Sequence, residues 1–166
     1  MKGIRFAEHA KIVPILAPID TATSAVATAY VDLKYVQHAS LLVNFGNMTS
    51  DSTDTTAITL EASTAASSNA TELTVSYQYR VSEAVGTDSW GAITNATTDG
   101  FSLAASSDDS KAVIIEVDPA AIANLGADYR FIRLVITPSA GSAITLVAAN
   151  AFLEPRYAGN SMPSSS

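Results

Sequence analysis

The chain has no cysteine and few charged residues. With no cysteine among 166 residues, it has no disulfide framework, no thiolate zinc site and no thiol nucleophile, so its stability must come from packing. Charged residues make up 15% of the chain and the formal net charge is −7. Nucleic-acid-binding faces concentrate Lys and Arg, so this acidic balance argues against a nucleic-acid partner.

Long apolar runs are also missing from the sequence. No stretch approaches the ~20 apolar residues of a membrane-spanning helix, so we expect no membrane partner. In residues 1–9, Lys2, Arg5 and Glu8 interrupt the chain before an apolar run reaches signal-peptide length. We therefore expect a protein that is made in the cytoplasm and stays soluble, or that leaves the cell only inside a larger assembly.

What the sequence does contain is a series of segments that alternate apolar and polar residues. In residues 73–81, Leu73, Val75, Tyr77, Tyr79 and Val81 share one face, and Thr, Ser, Gln and Arg occupy the other. About eight such segments recur at intervals of roughly ten residues, with turns between them. This pattern predicts an all-β fold: one antiparallel β-sandwich, jelly-roll-like, with one short helix and extended N- and C-terminal arms.

Three segments predict how the sandwich is organised. The nearly continuous apolar run at residues 40–45 predicts a strand buried on both faces, and residues 144–153 predict a strand that is central or covered by another subunit. Asp118, Pro119 and Gly126 are suited to the cap, first position and exit of a two-turn helix. We also predict a short strand at residues 90–94 and a turn at residues 106–110.

The length suits a single domain with terminal extensions. Residues 1–18 are predicted to form an N-terminal arm and a first segment that Pro14 confines to a sheet edge. Residues 19–156 form the sandwich, and residues 157–166 form a flexible C-terminal tail. The low charge has two interpretations, which are a surface covered by copies or partners and a surface that hydroxyl groups keep soluble.

The sequence offers little chemistry. His9 and His38 lie far apart without metal-ligand spacing, and the Asp51/Asp54 and Asp108/Asp109 pairs lack the pattern of a calcium loop. There is no phosphate-binding loop and no nucleophile elbow. We therefore expect no catalytic residues, no metal and no cofactor, and a protein that is not an enzyme.

The aromatic residues and arginines allow more than one reading. Tyr77, Tyr79 and Trp90 would suit a sugar-stacking platform, but placing the two tyrosines on the core-facing side of their strand with hydroxyls at the rim is the favoured interpretation. Arg130 and Arg133 are expected on opposite faces of one strand, so at least one faces solvent or a neighbouring subunit.

Four segments occur in the same order as in a group of small virion proteins. They are Phe6-Ala7-Glu8-His9-Ala10-Lys11-Ile12-Val13, Val113-Ile114-Ile115-Glu116-Val117-Asp118, Tyr129-Arg130-Phe131-Ile132-Arg133-Leu134 and Pro155-Arg156-Tyr157-Ala158-Gly159. In these segments the chain resembles the head decoration, or cement, proteins of tailed bacteriophages. The resemblance covers most of the chain but consists of strand patterns and short words without a catalytic motif.

This resemblance implies a structural protein that binds the exterior of the capsid and stabilises the shell. Its partners would be the major capsid protein and further copies of itself, as a homotrimer, on a virion assembled in the host cytoplasm. The arm at residues 2–18 and the tail after Glu154 are expected to contact these neighbours. The candidate interface residues are Phe6, His9, Ile12, Val13, Arg133, Arg156 and Tyr157. Alternatives are a carbohydrate-binding module and a tail or head-completion component.

Overall fold

The structure is a computed structural model that describes residues 10–21, 24–49, 54–67, 71–139 and 144–156. In this part of the chain it contains twelve strands and two short helices. The strands are β1 (Lys11–Asp20), β2 (Val26–Ala27), β3 (Val31–Asp32), β4 (Val36–Thr49), β5 (Thr55–Ser63), β6 (Glu72–Val75), β7 (Tyr77–Val81), β8 (Thr94–Ala96), β9 (Phe101–Ala104), β10 (Ala112–Val117), β11 (Phe131–Pro138) and β12 (Ile144–Pro155), and the helices are α1 (Ala105–Asp108) and α2 (Pro119–Ala123).

The strands form two antiparallel sheets that pack face to face, which confirms the predicted β-sandwich. Sheet A has the order β1-β12-β4-β10-β7-β8. Sheet B has the order β2-β11-β5-β6, with β3 also pairing with β11 and β9 with β5. The chain passes repeatedly from one sheet to the other, so that β12 lies between β1 and β4 and β11 lies between β2 and β5. This is the connectivity of a jelly roll, which β7 and β8 extend at one edge of sheet A.

The core lies between the sheets and is formed by alternate residues of the long strands. In β4, Ala39, Leu41 and Val43 are fully buried, while the residues between them point away from the core. The same alternation continues in β10, β12, β5 and β11. Because side chains alternate with a period of two, each strand contributes one face to this core and leaves the other on the outside of the sandwich.

The first strand lies at an edge, as its proline predicts. Among the described strands β1 pairs with β12 alone, and this pairing is interrupted by register shifts between Pro14 and Leu16 and between Leu16 and Ile19. Proline has no amide hydrogen to donate to a ladder, so it is tolerated where one side of the strand is open. β1 continues to Asp20, so the boundary predicted at residue 18 falls inside this strand.

The helices differ in part from the prediction. α2 is capped as expected, since the Asp118 side chain accepts a hydrogen bond from the Ala120 amide at 2.9 Å and Pro119 follows it. The predicted turn at residues 106–110 contains a second helix, α1, where a single helix was expected. The Asp108 carboxylate accepts a hydrogen bond from the Ala104 amide and forms an ion pair with Lys111. These two contacts stabilise the single helical turn.

The shortest strands of the structure are the least regular. Residues 26–36 contain two strands of two residues each, β2 and β3, and Tyr35 follows them with a φ of 70°. Trp90 makes one isolated bridge with Ser82, and the neighbouring strand β8 begins only at Thr94. Short bridges of this kind carry no long alternating pattern, so the sequence places them poorly.

Gly100 is a position where the fold requires glycine. Its φ is +77°, and an added Cβ would lie 2.0 Å from the Ile58 carbonyl oxygen of β5. Gly86 has nearly the same φ, +78°, but an added Cβ there would have no neighbour within 4 Å. Substituting Gly86 therefore has only the energetic cost of the backbone conformation. Substituting Gly100 adds the cost of the close approach between β5 and the start of β9.

We predict that Gly100→Ala lowers the free energy of unfolding by about 3 kcal/mol or more, because it combines a left-handed backbone with a steric clash. Gly86→Ala, the matched control, is expected to cost about 1 kcal/mol, since it has only the backbone penalty. Urea denaturation of both variants measures the difference. Equal losses would show that the close approach at Gly100 is not a constraint.

Candidate functional site

The outer faces of the two sheets differ in chemical character. On sheet A, the outward residues of three neighbouring strands include Leu42 of β4, Ile114 of β10 and Phe152 of β12, all half-buried. Ile12 of β1 lies opposite Phe152 and is 45% exposed. When an antiparallel sheet packs on the core with one face and meets solvent with the other, the residues of the solvent face are usually polar. The outer face of sheet A therefore contains apolar side chains where solvent contact favours polar ones.

A groove of about 400 Å³ runs over these residues. We call it the sheet A groove, and it is lined by Ala10, His38, Ser40, Leu42, Ile114, Glu116, Phe152 and Glu154. Its floor is apolar, while the described residues of its polar side are His38, Ser40 and two glutamates, with no lysine or arginine among them. The groove is therefore suited to a ligand that combines an apolar group with a positive charge.

Glu116 connects the polar side chains of the groove. Its Oε2 atom accepts a hydrogen bond from Ser40 Oγ at 2.6 Å and lies 2.6 Å from His38 Nε2. A serine, a histidine and a carboxylate meet here, but the glutamate occupies the middle. In a catalytic triad the histidine stands between the other two and removes the proton of the serine. Here Ser40 donates to the carboxylate and not to the histidine, so the cluster does not have the order of such a triad.

A second recess continues the groove across sheet A. It has a volume of about 370 Å³ and shares Ile114 and Glu116 with the sheet A groove. Its other lining residues are Gln78, Tyr79, Arg80, Trp90 and Ile93. Together the two recesses extend from β12 and the start of β1 to β7, the strand next to the β8 edge, with Glu116 near the middle. The combined length is suited to an extended chain.

The aromatic residues do not form the three-membered sugar platform. Tyr77 is buried in the core, where its hydroxyl donates a hydrogen bond to the Ile58 carbonyl at 2.6 Å. Burial, followed by the neighbouring Tyr79, raises the pKa of Tyr77 well above its usual range. The ring of Tyr79 stacks on Phe101 with centroids 3.7 Å apart. The tyrosines thus follow the core interpretation, although the Tyr77 hydroxyl is buried and does not reach the rim.

The outer face of sheet B is held together by an ion-pair network around Arg133. Arg133 donates to Glu61 at 2.7 Å and to Glu72 at 2.8 Å, and Glu72 also accepts the hydroxyl of Tyr30. Burial alone lowers the pKa of Arg133, but the hydrogen bond to Glu61 and both carboxylate charges give a net increase. Burial and the hydrogen bond to Glu72 raise the pKa of Tyr30. The charges on this face are satisfied within the chain.

The predicted interface residues therefore lie in different places. Ile12 is exposed beside the sheet A groove, and Arg156 is exposed directly after β12, where its amide donates to the Tyr35 carbonyl at 2.7 Å. One expectation needs correction. Val13 is 9% exposed and belongs to the core, because alternation along β1 turns it inward when Ile12 points outward. Arg133 lies on the outer face of sheet B, where it pairs with Glu61 and Glu72, and its role at an interface stays a prediction. Phe6, His9 and Tyr157 lie outside the described residues.

The other candidate residues have local structural contacts. Arg130 pairs with Asp32 at 3.0 Å and is exposed, so neither arginine of that segment points into the core. Asp109 accepts a hydrogen bond from the Met48 amide at 2.7 Å, and Asp54 accepts one from Ser139. Asp51 lies outside the described residues. Within the described ranges, no group of three potential metal-ligating side chains occurs, and no helix is long and apolar enough to cross a membrane.

The groove residues Leu42, Ile114, Glu116 and Glu154 were not among the interface residues expected from the sequence. A signal was present, because residues 40–45 and 144–153 are apolar at outward positions as well as inward ones. What the sequence lacks is the information that these strands are neighbours in one sheet.

Comparison with known proteins adds no relative to this description. No protein-family model, no curated protein and no solved structure matches the chain.

We predict that removing the central charged side chain lowers the free energy of unfolding more on the outer face of sheet B than on that of sheet A. Arg133→Ala leaves Glu61 and Glu72 without their shared cation, and we expect a loss of about 1–3 kcal/mol in the free energy of unfolding. Glu116→Gln removes a charge from a more exposed pair, in which the side chains are 44% and 37% exposed. Its expected cost is below about 1 kcal/mol. Chemical denaturation compares the two, and a larger cost for Glu116→Gln would contradict the assignment of Arg133 to structure and of Glu116 to the groove.

Proposed function

We propose that the chain is a structural virion protein that binds the exterior of a tailed-phage capsid and stabilises the shell. The observation that carries the proposal is the sheet A groove, an apolar surface on the outside of an otherwise completed sandwich. Binding sites between proteins are apolar at their centres and polar at their rims. Leu42, Ile114 and Phe152 supply such a centre, and Glu116 and Glu154 supply charges beside it.

The resemblance to decoration proteins supports the choice of partner. The segments that carry it include β10, which supplies Ile114 and Glu116 to the groove, and the start of β1. A jelly roll occurs in many viral capsid proteins but also in lectins, so the fold alone is an analogy. In this proposal the partners are the major capsid protein and further copies of the chain in a trimer. The net negative charge suits a position outside the shell, away from packaged DNA.

The described chemistry also favours a binding role over catalysis. The Ser40, His38 and Glu116 cluster lacks the order of a catalytic triad, and its groups lie on an open face of the sheet. Catalysis by such groups requires a nucleophile beside its base in a site that excludes water. We therefore propose that the protein is not an enzyme and acts by burying surface.

We predict that Ile114→Glu abolishes capsid binding, because it places a third carboxylate on the floor of the groove. Occupancy is measured by cosedimentation with purified capsids stripped of this protein. A central interface residue typically contributes enough that the affinity should fall at least about tenfold. Circular dichroism and urea denaturation show whether the variant remains folded.

The matched control is Val135→Glu. Val135 is also a half-buried apolar residue on an outward position of a central strand, but it belongs to sheet B. This variant should retain the occupancy of the unmodified protein. Equal losses for the two variants, or full occupancy for both, would refute binding through the sheet A groove.

A second candidate function is carbohydrate binding, and it is favoured by the placement of Trp90. Trp90 is half-buried and lines the second recess with Gln78, Arg80 and Glu116. An aromatic ring beside polar side chains is a common arrangement for sugar recognition, because the ring contacts the apolar face of a sugar. The buried Tyr77 and the stacked Tyr79 leave only one ring of the expected platform for this role.

If the protein binds carbohydrate, we predict that it gives signals on a glycan array and that these signals depend on Trp90. Signals that disappear in Trp90→Ala but persist in Tyr35→Ala would establish a sugar site in the second recess. Tyr35 is the matched control because it is an exposed aromatic residue outside either recess. No glycan signal with the unmodified protein would eliminate this candidate.

A further inference from the structure

We infer that the sheet A groove is a docking site for residues 1–9 of the same chain. This inference concerns the free protein and does not depend on the proposed function. The described chain begins at Ala10, which itself lines the groove. The preceding residues therefore start at the wall of the groove that they are proposed to fill.

The length of this segment matches the groove. Adjacent strands lie about 4.8 Å apart, so the path from β1 across β12 to β4 and β10 covers roughly 10–14 Å. Phe6 lies four residues before Ala10, which gives it a reach of up to about 13 Å in an extended chain. The whole segment of nine residues reaches about 30 Å, far enough to continue into the second recess. Leu42 and Ile114 also lie four residues along the strands from the level of Ala10, which adds about 13 Å in that direction. Phe6 can therefore reach Phe152 on the adjacent strand without any change in β1, and Ile4 and the residues before it can reach Leu42 and Ile114.

The charge of the segment is complementary to that of the groove. Residues 1–9 contain Lys2 and Arg5 but only one acidic residue, Glu8, whereas the complete chain has a net charge of −7. Among its described lining residues the groove presents Glu116, Glu154 and His38, and no lysine or arginine. Arg80 lies further away, in the second recess. A cation within reach of these carboxylates is favoured by the partly buried surroundings.

The apolar residues of the segment are complementary as well. In an extended segment, Ile4 and Phe6 fall on the same face because side chains alternate with a period of two. The groove floor is formed by Leu42, Ile114 and Phe152, which are apolar residues at positions facing away from the core. Tethering raises the local concentration of the segment to the level set by its length, so modest contacts are sufficient for docking. Docking would also cover an apolar patch that favours unspecific association.

Cross-linking in the full-length protein tests this inference, and the absence of native cysteine makes the labelling specific. The test pair is Ala7→Cys with Asn150→Cys, since Asn150 is paired with the groove residue Leu42 and neither substituted residue is a proposed anchor. The control pair is Ala7→Cys with Thr74→Cys, because Thr74 is exposed on sheet B and pairs with Glu61. A short bismaleimide is added, and the products are separated by denaturing electrophoresis and identified by mass spectrometry.

We expect an intrachain cross-link for the Asn150 pair at a rate at least about tenfold above that of the Thr74 pair, because the docked segment has a high effective concentration only at the groove. Adding Phe6→Ser to the Asn150 pair should slow the reaction about tenfold, the order expected when a phenyl ring is no longer buried. Adding Arg5→Ser should slow it by a smaller factor, and raising the salt concentration should have a similar effect.

Three results would overturn the inference. A cross-linking rate for the Asn150 pair that Phe6→Ser and Arg5→Ser leave unchanged would show that tethering alone brings the two positions together. Similar rates for the Asn150 and Thr74 pairs would show that the segment has no preferred site. A predominantly interchain product that increases with protein concentration would assign the groove to the segment of a second copy.

Discussion

The fold depends on the hydrogen bonding of β4 between β12 and β10. β4 is a strand of 14 residues, and its register with both neighbours fixes which side chains point inward. Leu41 and Val43 enter the core, while Ser40 and Leu42 form part of the groove. A slip of one residue would exchange these two sets, because side chains alternate along a strand. The core and the groove are therefore consequences of one register, and neither can form without the other.

The outer faces of the two sheets differ in the side chains that they expose to solvent. On sheet B, the charges of Arg133, Glu61 and Glu72 compensate one another at distances below 3 Å. On sheet A, apolar side chains share a groove with two carboxylates and His38, and no lysine or arginine is among the described residues that line it. Because apolar surface and unbalanced negative charge both gain from being covered, sheet A is the face on which binding is favourable.

Much of the fold could be predicted from local patterns, because alternation and capping depend on residues close in sequence. The strands at residues 40–45 and 112–117 and the helix after Asp118 are examples. The candidate site depends on pairs that are distant in sequence: Ser40 and Glu116 are separated by 76 residues, and Arg133 and Glu61 by 72. Alternation indicates which face a residue occupies but not which strand lies beside it. For this reason Arg133 was expected at an interface and Glu116 was not.

The edges of sheet A restrict how copies of this chain can associate. One edge is β1, where Pro14 and two register shifts interrupt the regular row of hydrogen-bonding groups, and the other is β8, which has only three residues. An edge of this kind is a poor template for a strand from another molecule. Copies can accumulate at high density, as on a crowded surface, without merging their sheets into a continuous cross-β ladder. A protein with so little charge to keep its copies apart gains protection against fibril growth from the geometry of its outermost strands.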